Sequence, residues 1–354
     1  MKVLAIRFAR LGDVVLLLPA LSSLKHAFPD IRLTLLTGNL CAPLAEMCPA
    51  IDEVLAVDRV AMRDGPVRTA LRDMHRLVRD VRRRRFDLVI DFHSFRETNL
   101  LTWLSGAPVR IGMKKYKSPY LRFCFNKPPV SEDKSLHVSA MFEKVVEATI
   151  SLLADESWRC EARARQGEAS REAPGWSVRR QTKSLSIPDE MLHWANELSS
   201  NKLRLALYVD APVTERIWPP ERFAAIADFA IERWAALPIV MSGQRRQDLI
   251  QRVKRASRNA DQLAVFSDIT IPQLAALIAS ARIFISNDTG PMHIGPAVGV
   301  RTLGLFSVGY PEHFRPMGLN DSVLRGNPIE KIQTTDVIAI ANEMWITAGP
   351  NLRC

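Results

Sequence analysis

The sequence predicts an α/β protein of two similar-sized domains, each a parallel sheet with helices on both faces. Three observations lead there. Short apolar runs alternate with helical patterns through both halves of the chain, the βαβα order that builds a parallel sheet. A polar, arginine-rich stretch with no apolar period, residues 155–186, separates the halves and reads as a linker or peripheral excursion. Residues 281–306 compress a whole βαβ unit: an apolar run ending at Ile285, a turn Ser286-Asn287-Asp288-Thr289-Gly290, a short small-residue helix and a second apolar run.

In the first half, strands are expected at residues 2–8, 32–36, 53–57, 86–91 and 109–111. Helices are expected near 14–27, 40–47, 69–83 and 96–104, followed by a long amphipathic one at 135–153. Pro19 lies inside the first of these and should kink or restart it. In the second half the strands fall at 203–209, 237–241, 262–266, 282–286 and 302–306. A helix starts at Pro220, where proline suits the first turn, and the last helix spans 329–346. The domains are accordingly placed at 1–165 and 201–328, with a linker at 166–200 and a closing helix and tail at 329–354.

Bulk properties narrow the function. A chain of 354 residues with 47% hydrophobic residues is long enough for two cores and is not disordered. No run of about 18 apolar residues is long enough to span a bilayer. The N-terminal residues pass straight into strand pattern without a small-residue cleavage site, so no signal peptide is expected. Five scattered cysteines show neither disulfide nor metal spacing, which fits a reducing cytoplasm. The net charge of +10 suits anionic partners. Its densest cluster, Arg82-Arg83-Arg84-Arg85, is read either as such a surface or as the basic end of a helix. No recognition motif accompanies the charge, which argues against nucleic acid.

Three loops carry candidate chemistry. The Asp288-Thr289-Gly290-Pro291-Met292-His293 turn leaves a strand at the carboxyl edge of a parallel sheet, where open α/β folds bind ligands, and its amides suit a phosphate. His293 is either satisfied by backbone or bonded to phosphate or sugar oxygens. After the first strand, Arg7-Phe8-Ala9-Arg10-Leu11-Gly12-Asp13 puts Gly12 at a sharp turn, and Asp13 at a helix start as N-cap or general base. The loop is not Gly-x-Gly-x-x-Gly, so a dinucleotide site is not expected. Arg216, just before Trp218-Pro219-Pro220, is either a solvated arginine or a clamp for a diphosphate. His93 and Ser94 follow the strand ending at Asp91 and either touch an acceptor or pack structurally. No Asp-x-Asp or His/Cys cluster offers a metal site.

Together these landmarks resemble glycosyltransferase family 9, the bacterial lipopolysaccharide heptosyltransferases. The match runs from Arg7, Gly12-Asp13 and Pro19 through Asp91-Phe92-His93-Ser94 and the stretch from Leu104 to Gly112. It continues with His137 opening a long helix, Arg216-x-Trp218-Pro219, and Asn287 to His293. The resemblance implies a GT-B fold, two Rossmann-like α/β/α domains facing each other across a cleft. It implies metal-independent, inverting transfer without a cofactor, from a nucleotide sugar, typically ADP-L-glycero-D-manno-heptose, to a lipopolysaccharide core acceptor. Asp13 matches the family's base, and Arg216 stands where the family carries a basic residue. Asp288, Thr289, Gly290, Pro291 and His293 match the donor turn, and Arg10, Gly12, His93 and Ser94 fall on the acceptor side. The chain departs from the family pattern at Asp210-Ala211-Pro212-Val213, at Val308-Gly309-Tyr310-Pro311-Glu312-His313 and over 155–186.

An anionic, membrane-held acceptor gives the basic surface a meaning. The implied location is cytoplasmic and peripheral on the inner leaflet, docked through arginines of the first half and the aromatic–basic stretch from Tyr116 to Phe125, which otherwise reads as an ordinary loop. The rival readings are a GT-B enzyme using another nucleotide sugar and a non-lipopolysaccharide acceptor, and a catalytically silent nucleotide-binding module.

Overall fold

A computed structural model of the chain describes residues 1–8, 10–116, 119–154, 183–198 and 202–348; most of the expected linker, residues 166–182 and 199–200, lies outside them, as does the tail from 349. The chain divides into two compact units, Met1–Gln181 and Thr182–Cys354.

The first unit is built from β1 (Lys2–Arg7), α1 (Leu11–Val15), α2 (Leu18–Ala27), β2 (Arg32–Gly38), α3 (Ala42–Ala45), β3 (Glu53–Val57), α4 (Arg59–Asp64) and α5 (Val67–Arg84). It continues with β4 (Leu88–Asp91), α6 (Arg96–Leu104), β5 (Val109–Lys114), β6 (Val130–Ser131) and α7 (Val138–Ala154). Its six strands are all parallel, in the order β3-β2-β1-β4-β5-β6. Val3, Leu4, Ala5 and Ile6 are all buried, as expected of a strand covered on both faces. On one face Leu77 and Val81 of α5 and Leu101 of α6 close on Leu4, Ile6 and Val89; on the other, α2 packs against α7.

The second unit comprises α8 (Asp189–Glu197), β7 (Arg204–Tyr208), α9 (Pro220–Trp234), β8 (Leu237–Met241), α10 (Gln247–Ala256), β9 (Ala264–Phe266) and α11 (Ile271–Ala279). It ends with β10 (Ile283–Asn287), α12 (Ile294–Val298), β11 (Arg301–Phe306), α13 (Pro311–Phe314), β12 (Ser322–Arg325) and α14 (Thr334–Thr347). Its parallel order, β12-β11-β10-β7-β8-β9, repeats that of the first unit when strands are counted from β7. This is the doubly wound 3-2-1-4-5-6 order, whose direction reverses between the first and fourth strands. The loops after β1 and β4, and after β7 and β10, therefore meet at the two switch points.

Several elements differ from expectation, each for a local reason. The helix expected at 14–27 is two: α1 ends at Val15 and α2 starts at Leu18 with Pro19 in its first turn, because proline cannot donate the bond a continuous helix needs. Arg10, not Asp13, is the N-cap of α1, and Gly12 lies inside that helix rather than at a sharp turn. Gly12 is absent from the glycines of positive φ, Gly106 and Gly299, so no left-handed residue is needed there. β6 and β12 carry little apolar signal because both are edge strands, the first only two residues long and the second only half-buried. Residues 183–198, inside the expected linker, belong to the second unit: the amides of Ser184 and Leu185 donate to Ala297 O at 2.9 and 3.0 Å, and α8 packs on α11.

Candidate active site

At the switch point of the first unit, Ile6 of β1 pairs with Asp91 of β4, which brings the two following loops together. Arg7 is buried between them. Its Nη1 donates to Phe92 O at 2.8 Å, its Nη2 lies 3.2 Å from Asp13 Oδ1, and its guanidinium stacks 4.9 Å from the Phe142 ring. Asp13, in the first turn of α1, thus has its carboxylate fixed by the Arg7 guanidinium, which burial pulls down from its ordinary value while the Asp13 charge opposes that shift.

Asp91 shapes the neighbouring loop. One oxygen accepts the amides of His93 and Ser94, both at 2.9 Å, and the other accepts Asn99 Nδ2 at 2.8 Å. This Asx-type turn holds Ser94 at φ 58, in the left-handed region that few side chains tolerate. His93 is buried edge-on to Phe95, 4.4 Å between ring centres. Burial, helped by the positive charges of Arg7, Lys115 and Arg59, pushes its imidazole down to about 2. His93 therefore stays neutral and is too weak a base to deprotonate a hydroxyl; it is suited to hydrogen bonding a sugar. Lys115 completes the cluster, its ammonium 4.4 Å from the Phe95 ring and lowered to about 8 by burial and by Arg7. Arg59 reaches in from α4 to donate to Phe8 O at 3.0 Å. Arg10, by contrast, is exposed at the helix cap.

The second unit builds the corresponding corner from the loops after β7 and β10. Asn287 clips them together: its Nδ2 donates to Val209 O at 3.0 Å, and its Oδ1 accepts Trp218 N at 3.1 Å. Trp218 is fully buried and anchors the loop after β7 through Nε1 to Ile332 O at 3.0 Å. Arg216, two residues earlier, extends Nη1 to Asp288 Oδ2 at 3.1 Å. Burial pushes the Asp288 carboxyl up, and the Arg216 charge opposes that shift. Gly309 leaves room for this carboxylate, since a Cβ at that position would stand 2.0 Å from Asp288 Oδ2 and displace it. Arg216 Nε is buried and meets no acceptor among the described residues, leaving a donor ready for an oxyanion.

Thr289 caps a 3-10 turn, Gly290–His293, that runs directly into α12. The first amides of such a turn have no acceptor within it and suit an anion. Pro291 and His293 are buried in the same turn. The structure thus gathers Arg216, Asp288, Thr289, Gly290, Pro291 and His293 at one sheet edge, and Gly12, Asp13, His93 and Ser94 at the other. Removing the clip should be costly: Asn287→Ala leaves a buried N–H and C=O unsatisfied and is expected to cost about 1–3 kcal/mol per group, read as a fall in the midpoint of denaturant unfolding. An unchanged midpoint would deny Asn287 this role.

Comparison with known proteins agrees with this geometry. The model of glycosyltransferase family 9 (heptosyltransferase) matches residues 74–338. The chain belongs to this family. Lipopolysaccharide heptosyltransferase 3 of Escherichia coli is 22% identical over 346 residues, covering 96% of this chain and 93% of the relative. Among solved structures, a family 9 glycosyltransferase from Veillonella parvula superposes with TM-score 0.80 at 22% identity, covering 98% of this chain and 97% of the other. The E. coli ADP-heptose lipopolysaccharide heptosyltransferase II gives 0.77 at 15% identity, covering 98% and 99%. The fold is GT-B, with two Rossmann-like units, and the protein is a glycosyltransferase.

In this family 9 enzyme, sequence reasoning named the motifs that begin at Arg7 and at Asn287 but gave neither residue a role, and it did not find Arg59 or Lys115. Lys115 and Arg59 reach the first corner from β5 and α4, and only the strand order brings them there. The stretch from Tyr116 to Phe125, of which residues 117 and 118 lie outside the described residues, is mixed. Phe125 is buried under Tyr120, whereas Tyr116 is exposed beneath Lys134 Nζ, 4.7 Å from its ring.

Proposed function

We propose that this glycosyltransferase moves a heptose, L-glycero-D-manno-heptose carried on ADP, to an anionic lipopolysaccharide core acceptor, with inversion and without a resident metal. The observation that carries the reading is the matched pair of corners: an arginine-held carboxylate, Asp13, on the first unit, and a phosphate-type turn beside the Arg216–Asp288 pair on the second. Asp13 takes the proton of the acceptor hydroxyl as that oxygen attacks the anomeric carbon opposite the leaving group. The C–O bond to the diphosphate breaks, and its negative charge develops where the Thr289 and Gly290 amides and the Arg216 guanidinium lie. Such preorganised donors are commonly the largest single contribution to catalysis.

Arg7, Arg59 and Lys115 give the acceptor corner a positive field suited to an acidic core sugar or phosphate. Asp288 serves chiefly to aim Arg216, and through that residue to define the donor position. The implied place of work is the cytoplasmic face of a membrane. Among the described residues no helix is long and apolar enough to cross one, so attachment there would be peripheral.

A second donor class is favoured by one observation. The loop after β7 carries Asp210, whose Oδ1 lies 3.3 Å from Arg246 Nη1 and whose Oδ2 accepts Gly243 N at 3.3 Å. This aspartate–arginine pair stands where the family resemblance leads one to expect a glycine- or serine/threonine-rich loop. Thermal shifts with ADP-heptose and with GDP- and UDP-sugars separate the readings. Selective stabilisation by ADP-heptose, with about 2.7 kcal/mol at a concentration 100 times Kd, is the expected result. Stabilisation by another nucleotide sugar alone would transfer the assignment to that donor, and by none would leave a silent module.

A further inference from the structure

On the reading that the acceptor is held in a membrane, we propose that the outward face of α5, with the exposed aliphatic residues at its N-terminal end, docks this enzyme on an anionic lipid surface. Helix α5 carries seven arginines against two aspartates, which amounts to half of the chain's net charge of +10. Arg68, Arg72, Arg76, Arg79 and Arg83 are all exposed and follow one another at helical spacing, forming a single stripe along the helix. Asp73 and Asp80 neutralise it only loosely, with Arg72 Nε 3.5 Å and Arg76 Nη1 4.0 Å from Asp73 and Arg79 Nε 3.8 Å from Asp80. The basic end of a helix needs cations only in its last turn, so dipole complementarity leaves Arg68, Arg72 and Arg76 unaccounted for.

Beside this stripe lies apolar surface that a monomer has no use for. Val67 and Leu71, one helical turn apart, are 73% and 66% exposed. Val60 of α4 is 60% exposed, and Leu40, in the loop after β2, is 80% exposed. All four sit at or just beyond the carboxyl edge of the first sheet, the edge that carries Asp13. Arg59, next to Val60, is bonded to Phe8 O in the loop leading to Asp13, so this surface adjoins the acceptor corner.

The combination selects the partner. Nucleic acid would engage the arginines and leave the aliphatic row in water. A second copy of the same face would oppose like charges. An anionic bilayer uses both, phosphates for the guanidinium stripe and the acyl boundary for Val67 and Leu71. The location differs from the aromatic stretch at Tyr116–Phe125 that the sequence suggests. There Phe123 turns to Trp103, at the opposite end of α6 from the catalytic edge.

The test is sedimentation of the full-length enzyme with phosphatidylglycerol-containing vesicles and with pure phosphatidylcholine vesicles. The wild type should bind the former selectively. Arg72→Gln with Arg76→Gln should weaken binding about 25-fold, at about fivefold per arginine, and Val67→Gln with Leu71→Gln by about tenfold at the same salt. Both double variants should transfer sugar to a delipidated oligosaccharide acceptor at the wild-type rate, which shows that they are folded. Equal binding to both vesicle types, or anionic binding indifferent to the arginine pair, would overturn the proposal. So would binding that depends on the arginines alone, since that marks a polyelectrolyte surface for acidic protein or nucleic acid. Should vesicle binding behave as expected while no membrane acceptor is glycosylated, the docking face stands and the acceptor assignment fails.

Discussion

Asp13→Asn is expected to lower kcat by about 10²–10⁴-fold, the usual contribution of a positioned general base, while leaving donor affinity unchanged. The substitution is close to isosteric, and its amide oxygen can still accept the Arg7 guanidinium that holds Asp13 Oδ1 at 3.2 Å. The corner should therefore keep its shape and lose only its basicity. His93 cannot substitute as base, because burial and the surrounding positive charges keep its imidazole near 2. Steady-state turnover at saturating donor, paired with calorimetric titration of ADP, separates the two effects. Wild-type turnover in the variant would remove Asp13 from the chemistry, and lost ADP affinity would reassign it to donor binding.

Arg216→Ala should reduce kcat/KM by about 10²–10³-fold, the scale seen when one preorganised donor to a developing oxyanion is removed. Arg216→Lys should recover only part of this, since an ammonium lacks the planar fork needed to grip a phosphate oxygen while it stays paired with Asp288. Stability gives an independent readout. Burial already raises the Asp288 carboxyl in the folded protein, and Arg216 is the charge that opposes it. A carboxyl raised on folding contributes its stability at pH below its unfolded value and loses it as pH rises through the folded value. Without Arg216 the ionised form has lost its counterion. The deficit of Arg216→Ala should then be small in acid, where Asp288 is protonated with or without its partner, and grow as pH rises through the raised Asp288 value. Adding Asp288→Asn should abolish that growth. A deficit independent of pH would show that the pair is electrostatically inert; unchanged kcat/KM would remove Arg216 from the site.

Much of the fold was legible because its signals are local. A strand buried on both faces reads as an unbroken apolar run, so 237–241 coincides with the observed β8. Pro19 and Pro220 mark helix starts because a missing N–H is harmless only in a first turn. The elements missed, α4, α8, α13, β6 and β12, are short or half-exposed, and they owe their form to the neighbours they pack on. Gly12 misled for a related reason: glycine is read as a turn by default, but here it is a buried position inside α1.

The alternation of elements, the family and the two loops proposed for the chemistry, around Asp13 and from Asp288 to His293, were legible in the residues alone. They were so because periodicity and motif spacing are properties of neighbouring residues. Tertiary structure alone decided what those loops meet. The 3-2-1-4-5-6 strand order sets β1 beside β4 and β7 beside β10, which buries Arg7 under Asp13 and brings Arg216 onto Asp288. The same order carries Lys115 and Arg59 to the corner that holds Asp13 and His93 and leaves the arginine stripe of α5 facing outward. Such pairings depend on which strands are adjacent, and adjacency is fixed by burying both faces of each sheet at once, a condition no single stretch of chain contains.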